Sequence, residues 1–407
     1  MGGSVPQIPG TQIFGDELRA LRQEVAKLLQ RSSISFPGAQ PVSFAAHHKF
    51  ELQKQDYYVC EKSDGIRCLM YLTHDDEARR EAVYLIDRKN DYYLVPELHF
   101  PLPGKEVAQY HVKTLVDGEL VNDRLPNETM QLTYLVFDCL CLDGNSALMH
   151  RTLDKRLAYF RENVFNPYKA LYKKFPEEIQ YLPFIVDFKK MELGYGIEMM
   201  FREVLPNLRH GNDGLIFTCR NTPYQFGTDS HILKWKPPEE NSIDFLLQLE
   251  FPSIQPDAED LSDGFTSPYC DYSATPKCKL LVFEGDGKYL HWADMFVEDA
   301  EWQTLVALDE PLNDRVTECF MDPRQRWRFL RFRDDKTEAN HISTVKSVME
   351  SIEDRVTQED LIGAAKRIRD EWKKREASNT TNNNNNNNVP QAQLDASKSS
   401  RQENGGL

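Results

Sequence analysis

Lys62 stands in a setting suited to covalent chemistry on a nucleotide. It opens the pattern Lys-x-Asp-Gly-x-Arg, which ends at Arg67. A lysine amine becomes a nucleophile when neighbouring cations or a metal ion lower its pKa until the free amine exists at neutral pH. The pattern therefore predicts nucleotide transfer through Lys62. The alternative is a hairpin turn formed by Ser63, Asp64 and Gly65, with the flanking charges facing solvent.

Two further clusters could serve the same nucleotide. Asp117 and Glu119 lie two positions apart in a predicted strand, so they share a face that could hold a divalent metal ion or a ribose. Lys234 and Lys236 flank Trp235 in the same way, and two ammonium groups on one strand face suit a phosphate. Each cluster alone also fits an edge-strand turn or a solvated strand face.

The elements that must position these residues predict two folded domains. Strand-like runs dominate positions 56–138, and a basic helical segment follows over 154–175. Residues 83–87 and 92–95 flank a turn and predict a hairpin. The Pro-rich stretch after Lys236 is typical of a linker. Beyond it, short strands between polar loops fit a small five-stranded barrel such as an OB-fold.

The predicted fold class is α+β: a domain of antiparallel sheets with helices, followed by a C-terminal OB-fold barrel. The predicted divisions are a first domain over 1–240, the barrel over 241–340, a helical segment over 341–377 and a disordered Asn-rich tail over 378–407. The acidic segment 252–278 has no assigned role.

Composition limits the classes of function. The chain has 407 residues and a net charge of −15, from 49 Lys plus Arg against 64 Asp plus Glu. That balance argues against wrapping nucleic acid over the whole surface, so basic residues that meet a nucleotide or RNA must be concentrated in a cleft. The eight cysteines lack zinc-ligand spacing, which favours reduced thiols in an intracellular compartment. No apolar run is long enough to span a bilayer, and we expect no membrane partner.

Taken in order, the motifs resemble the covalent nucleotidyltransferase superfamily of polynucleotide ligases and mRNA capping enzymes. The motifs are Lys62-Ser-Asp-Gly-Ile-Arg67, Ile86-Asp-Arg88, Asp117-Gly-Glu-Leu120, Tyr134-Leu-Val-Phe-Asp138, Asp213-Gly-Leu-Ile-Phe217, Leu233-Lys-Trp-Lys-Pro237 and Trp327-Arg-Phe-Leu-Arg-Phe-Arg-Asp-Asp-Lys336. The last motif, Glu61-Lys62-Ser63 and Lys234-Trp235-Lys236-Pro237 are similar to mRNA guanylyltransferases, in particular the stand-alone fungal type, and the asparagine-rich tail fits that origin.

The resemblance implies that Lys62 takes GMP from GTP and passes it to the diphosphate end of an RNA, forming the 5′ cap. It implies nucleotide contacts by Ser63, Arg67, Arg88, Glu119, Phe137, Lys234, Lys236, Arg331, Arg333, Asp335 and Lys336. Phe137 would stack on guanine, although a core position in its strand fits the residue equally. The implied cofactor is Mg²⁺ or Mn²⁺, with Asp213 linked to the metal.

The resemblance also implies partners and a location. A separate RNA 5′-triphosphatase, the phosphorylated tail of RNA polymerase II and a nuclear location are expected. We place the tail-docking residues in the basic helical segment, at Lys155, Arg156, Arg161, Lys173 and Lys174. A solvated basic helix is the alternative there. Two other functions stay open for the chain: an ATP-dependent RNA or DNA ligase, and a non-catalytic nucleic-acid-binding scaffold with the same fold.

Overall fold

The computed structural model describes residues 6–76, 78–105 and 109–386. Two sheets form the first domain. The seven-stranded sheet has the order Thr11–Gln12, Tyr92–Val95, Arg80–Ile86, Ile66–Asp75, Thr114–Arg124, Met130–Cys141 and Ile185–Phe188. The five-stranded sheet has the order Glu192–Leu193, Tyr57–Ser63, Asn212–Cys219, Gly227–Trp235 and Ala39–Ser43. Most pairings are antiparallel, which confirms the predicted α+β class.

The predicted hairpin is confirmed, because Arg80–Ile86 pairs antiparallel with Tyr92–Val95. Its apolar residues alternate between the two faces of the large sheet. Leu85 faces the core on one side and Ile86 the core on the other. The large sheet therefore carries a hydrophobic core on both faces.

A closed barrel forms the second domain, as the short strands predicted. Its strands follow the order Ser242–Glu250, Lys277–Gly285, Lys288–Met295, Trp327–Phe332 and Val316–Met321. Pro237 and the short 3₁₀ turn Pro238–Glu240 connect it to the last long strand of the first domain. Residues 252–276 connect the first two barrel strands and contain a two-stranded ribbon, Ser253–Ile254 paired with Tyr269–Cys270.

Helices cover the sheets and close one side of the barrel. The α-helices are Gly15–Leu28, His48–Lys54, Leu153–Phe160, Asn166–Lys174, Ile197–Met199, Ala258–Ser262, Asp299–Val306, Ile342–Asp354 and Gln358–Asn386. Short 3₁₀ helices also span Ser146–His150, Pro176–Tyr181 and Leu205–Asn207, and π-helical turns span Arg161–Phe165 and Met200–Val204. No helix within these residues is long and apolar enough to cross a bilayer.

The two C-terminal helices return the chain to the first domain. Ile342–Asp354 packs on the barrel core, whereas Leu361 and Ile368 of the last helix enter the core beneath the five-stranded sheet. That helix continues to Asn386, past the expected start of the disordered tail at 378. The rest of that tail, 387–407, lies outside the described residues.

Candidate active site

Lys62 lies where the chain passes from one sheet to the other. Strand Tyr57–Ser63 is an inner strand of the small sheet, and Ile66–Asp75 is the central strand of the large one. Asp64 and Gly65 make the crossing, and a Cβ on Gly65 would lie 2.3 Å from the carbonyl oxygen of Leu120. The two flanking strands do not pair with each other, so the hairpin alternative for this motif is wrong.

Asp213 joins Lys62 to a second lysine. The Lys62 Nζ donates to Asp213 Oδ1 at 2.6 Å, and the Lys236 Nζ lies 2.8 Å from Oδ2. Burial alone would raise the pKa of Asp213, but the two ammonium groups lower it overall. The chain turns Asp213 toward them by a bulge at Gly214, where φ is +140° and a Cβ would lie 2.0 Å from the Trp235 carbonyl oxygen. Only glycine fits that approach.

A cavity of about 380 Å³ surrounds Lys62 and is lined by both domains. Its cationic side chains are Lys62, Arg67, Arg88, Lys189, Lys234, Lys236, Arg333 and Lys336, and its carboxylates are Asp117, Glu119, Asp138, Asp244 and Glu318. Cations therefore exceed carboxylates here although the whole chain is strongly acidic. Such a cavity attracts an anion with several charges, such as a triphosphate.

The charged form of Lys234 is disfavoured by its surroundings in the cavity. Burial, followed by repulsion from Lys62, Lys236 and other cations, lowers its pKa to about 8. Within the described residues no carboxylate pairs with Lys234, and the same holds for Arg88, which is exposed to the cavity mouth. These two groups keep their charge available for a ligand.

The barrel contributes two cations to the cavity, Arg333 and Lys336. Both are held by Asp244 at the start of the barrel, with the Arg333 Nη1 3.1 Å from its Oδ1. The other barrel residues of the predicted set lie elsewhere. Arg331 is exposed and pairs with Glu318 at 2.7 Å, and Asp335 pairs with Arg333 from outside the cavity lining.

Phe137 and Ile216 line the cavity from the large and the small sheet respectively. Phe137 is half-buried and stands 5.5 Å from the Arg67 guanidinium, measured to the ring centre. Part of the Phe137 side chain therefore faces the cavity and is not packed in the core. Its aromatic face and the aliphatic side chain of Ile216 suit a purine. Ser63 and Lys189 add polar donors to this end, where the Lys189 ammonium contacts the Ser63 hydroxyl.

Arg67 and Glu119, two of the predicted nucleotide contacts, both line the cavity. Arg67 is tied to the fully buried Asp117 by two hydrogen bonds, of 3.0 Å from Nε and 2.6 Å from Nη2. Strand pairing sets Arg67 directly opposite Glu119. The Glu119 carboxylate lies 3.7 Å from Lys189, so this side of the cavity offers paired acceptors and donors to a sugar.

Arg156 is a correction to the predicted docking set. It is buried, 2% exposed, and its guanidinium makes a double hydrogen bond to Asp138 with both distances 2.7 Å. A basic helix that packs on a sheet turns one side inward, and Arg156 lies on that side, so it cannot meet a partner. The remaining members of the set, Lys155, Arg161, Lys173 and Lys174, are exposed.

Sequence reasoning missed Lys189 and Asp244. Lys189 follows a short edge strand in no recognisable motif, and only the fold brings it to Ser63. Asp244 did carry a signal in the sequence, because it interrupts the apolar run Ile243–Leu247. In the structure it is only 6% exposed. A buried acid inside a strand requires a cationic partner.

A metal ion at this site would depend on the nucleotide for most of its ligands. No group of three His, Cys, Asp or Glu side chains within the described ranges could hold one. Asp213 is the carboxylate beside Lys62, and both of its oxygens are engaged by lysines. One carboxylate plus phosphate oxygens and water is nevertheless a usual set for Mg²⁺, so the residues fit a metal that arrives with a triphosphate.

Comparison with known proteins covers nearly the whole described chain. The family "mRNA capping enzyme, catalytic domain" matches residues 4–238, and "mRNA capping enzyme, C-terminal domain" matches residues 240–362. Relatives include the mRNA-capping enzyme subunit alpha of Neurospora crassa, 52% identical over 377 residues, covering 90% of this chain and 93% of the relative. The proteins of the same name from Schizosaccharomyces pombe and Saccharomyces cerevisiae are 50% and 38% identical, covering 90% of this chain in both cases and 89% and 87% of the relatives.

Proposed function

This chain belongs to the mRNA capping enzyme family and is an mRNA guanylyltransferase, and we propose that Lys62 is the residue that carries GMP from GTP to RNA. The observation that supports this role is the position of the Lys62 amine. It is hydrogen-bonded to Asp213 in a cavity whose cations exceed its carboxylates, between two domains. Positioning and charge neutralisation are the main terms in phosphoryl-type transfer.

In the first step the Lys62 nitrogen attacks the α-phosphorus of GTP. A nitrogen–phosphorus bond forms, the bond to the bridging oxygen breaks, and pyrophosphate leaves with the electron pair. The proton that the Lys62 nitrogen loses passes to Asp213, whose Oδ1 accepts its hydrogen bond at 2.6 Å. Negative charge that develops on the leaving group meets Arg333 and Lys336 from the barrel, while Lys234 and Lys236 face the phosphates from the small sheet.

In the second step the terminal β-phosphate oxygen of a diphosphate-ended RNA attacks the same phosphorus. The nitrogen–phosphorus bond breaks, Lys62 regains a proton, and the 5′–5′ linkage forms. For pyrophosphate to leave and RNA to enter, the barrel must move away, because Arg333 and Lys336 form one wall of the cavity.

Mg²⁺ or Mn²⁺ is the cofactor we propose, held by Asp213 and phosphate oxygens. It would neutralise phosphate charge and polarise the α-phosphate toward attack. Lys62 and Lys236 already share Asp213, so a metal there would compete with a lysine for a carboxylate oxygen. That competition would release one of the two lysines from its hydrogen bond.

Guanine selection falls to Ser63 and Lys189. The Lys189 ammonium can only donate hydrogen bonds, and at this position guanine presents the O6 acceptor where adenine presents an amino group. An adenine would leave the buried ammonium facing another donor, which is costly. We therefore expect GTP to be preferred over ATP, which separates this function from the ligase alternative.

Labelled GTP tests the covalent step directly. With α-³²P-GTP and Mg²⁺ the wild-type protein should form an acid-labile protein–GMP adduct, and Lys62→Ala should form none. Lys190→Ala is the matched control, because Lys190 is exposed and does not line the cavity. An adduct that persists in Lys62→Ala would reject the assignment, and labelling by ATP in place of GTP would make the protein a ligase.

The phosphorylated tail of RNA polymerase II is the partner we propose for Lys155, Arg161, Lys173 and Lys174. All four are exposed on the helical segment between residues 153 and 174, and phosphate groups pair well with such cations. Lys155→Glu combined with Lys173→Glu should weaken binding of a phosphorylated tail peptide in fluorescence anisotropy. Unchanged affinity would place the docking site elsewhere.

A separate RNA 5′-triphosphatase is the second chain we propose. The relatives are named "subunit alpha", which indicates a partner subunit. A guanylyltransferase consumes a diphosphate end, so a triphosphatase must act before it. Work on nascent transcripts and a polymerase tail would place both subunits in the nucleus.

A further inference from the structure

A second group of charged side chains lies behind the end of the cavity lined by Ser63, Phe137 and Lys189, which we call the base end. Glu61 and Asp123 come from two strands of the first domain and His210 from the loop before strand Asn212–Cys219, and none of the three lines the cavity. Glu61 and His210 are buried, with side-chain exposures of 4% and 8%. Nothing in the two chemical steps uses these groups directly, so their presence in the interior requires another explanation.

The His210 ring bridges two carboxylates. Its Nδ1 lies 2.8 Å from Asp123 Oδ1, and its Nε2 lies 3.3 Å from Glu61 Oε1 and 3.3 Å from the Ser63 hydroxyl. A carboxylate on each ring nitrogen favours a proton on both. Burial alone would lower the pKa of His210, but its hydrogen bonds to Asp123 and Glu61 raise it to about 9.

Glu61 connects His210 to Lys189, which lines the cavity. Its Oε1 lies 3.3 Å from the ammonium of Lys189, which is itself 3.7 Å from Glu119. Its Oε2 is buried and has no hydrogen-bond partner. One oxygen of Glu61 is therefore shared by two cations, one behind the cavity and one lining it.

We propose that His210 is a positioning residue for the guanine-reading pair Lys189 and Ser63, acting through Glu61 and oriented by Asp123. The inference rests on the proposed role of that pair. The His210 imidazolium shares Oε1 of Glu61 with Lys189 and offsets part of its negative charge, so the Lys189 ammonium is not drawn deeper between Glu61 and Glu119. The same ring touches the Ser63 hydroxyl, so both donors are set by one buried cation.

Loss of the imidazolium leaves Glu61 with Lys189 as its one remaining cation. Lys189 then moves toward the carboxylates, and Ser63 loses a ring contact. The effect falls on recognition of the guanine O6 and leaves the phosphates in place, because Lys234, Lys236 and Asp213 are not in contact with His210. A hydrogen bond to a charged group corresponds to about 10- to 100-fold in affinity.

The experiment compares three nucleotides in adduct formation by His210→Gln and by Asp123→Asn. GTP and inosine triphosphate carry the O6 acceptor, whereas 2-aminopurine riboside triphosphate lacks it. Both variants should raise KM for the first two nucleotides by about 10- to 100-fold, with the maximal rate changed by less than about 3-fold. The third nucleotide should react as it does with the wild type.

His99→Gln is the matched control, since His99 makes a similar short contact to a carboxylate, Glu81, at 2.5 Å and does not line the cavity. An equal loss for all three nucleotides would overturn the proposal, because it would indicate general loosening of the fold. So would an unchanged KM for GTP. If the wild-type protein formed no guanylate adduct at all, the proposed function itself would be wrong. A thermal melt of each variant distinguishes a loss of adduct formation from unfolding.

Discussion

The two ends of the cavity handle charge in opposite ways. At the phosphate end Lys234 has no carboxylate partner in the described part of the chain, and Asp213 and Asp244 are each shared between two cations. At the base and sugar end each cation that lines the cavity is paired with a carboxylate: Arg67 with Asp117, and Lys189 with Glu61, which His210 also contacts. Both ends belong to one cavity and to the same pair of sheets.

The difference follows from what each end must receive. A triphosphate brings several negative charges, so cations that repel one another without a ligand become neutralised when it binds. A guanine is neutral, and an unpaired buried charge beside it would have no compensation. Repulsion among the cations of the phosphate end therefore opposes folding until a triphosphate binds, whereas the cations of the base end are neutralised by carboxylates of the protein itself.

The paired region gives the largest expected effect on stability, and the Arg156–Asp138 pair, whose carboxylate lines the cavity, is a buried example. Side-chain exposures are 3% and 7%. Arg156→Met leaves Asp138 as a buried, uncompensated carboxylate, which should lower the free energy of unfolding by about 3–5 kcal/mol in urea titration. Lys155→Met, at the exposed neighbouring position, should change it by less than about 0.5 kcal/mol. Equal effects of the two variants would break the comparison.

At the phosphate end the same kind of substitution should act in reverse. Lys234→Met removes a cation that burial and its neighbours disfavour. We expect guanylate adduct formation to fall by about 10- to 1000-fold, the range for one lost preorganised contact. The free energy of unfolding at pH 7 should stay level or rise by about 1 kcal/mol, because the charged form of Lys234 is the one that burial penalises.

Urea titration and rapid-quench adduct assays on the same preparation check both halves of this second prediction. A fall of more than about 2 kcal/mol in unfolding free energy would mean that Lys234 stabilises the protein as an ordinary paired lysine does. The contrast between the two ends would then be lost.

Local sequence predicted the phosphate end better than the base end, for a physical reason. Lys62 and Lys234 lie in strands and Lys236 directly follows one, so period-two alternation indicates the facing side from the sequence alone. Lys189 and His210 reach Ser63 from positions about 130 and 150 residues away in the chain, so only the packing of whole elements brings them together. No local pattern contains that information.

The barrel and the basic helix illustrate two further limits. Five short strands predicted the closed barrel, because strand number and spacing are local features. The same local pattern placed Arg156 with its exposed neighbours, since charge alone does not reveal which side of a helix packs inward. The acid that binds it, Asp138, lies 18 residues earlier in a different element.

The smallest expected effect is a change in nucleotide affinity with pH, and it tests the unpaired state of Lys234 most directly. Its pKa is about 8 in the folded protein against an ordinary 10.5. Below pH 8 the folded protein holds the charge that attracts phosphate, and as pH rises above 8 the free enzyme loses it. Affinity should fall by up to about tenfold per pH unit above that point, until the raised pKa of the bound state is reached.

Isothermal titration with guanosine α,β-methylene triphosphate would measure this fall between pH 6.5 and 9.5 without transfer to Lys62. Lys234→Arg should remove the change near pH 8, since a guanidinium stays charged throughout that range. The free energy of unfolding of the ligand-free protein should change with pH in the opposite direction to the nucleotide affinity. Between pH 8 and 10.5 the unfolded chain still holds the proton that folded Lys234 has released, so unfolding free energy should rise with pH relative to Lys234→Met. Affinity that falls while stability rises, through one lysine, is the behaviour expected of a cation whose partner is the substrate.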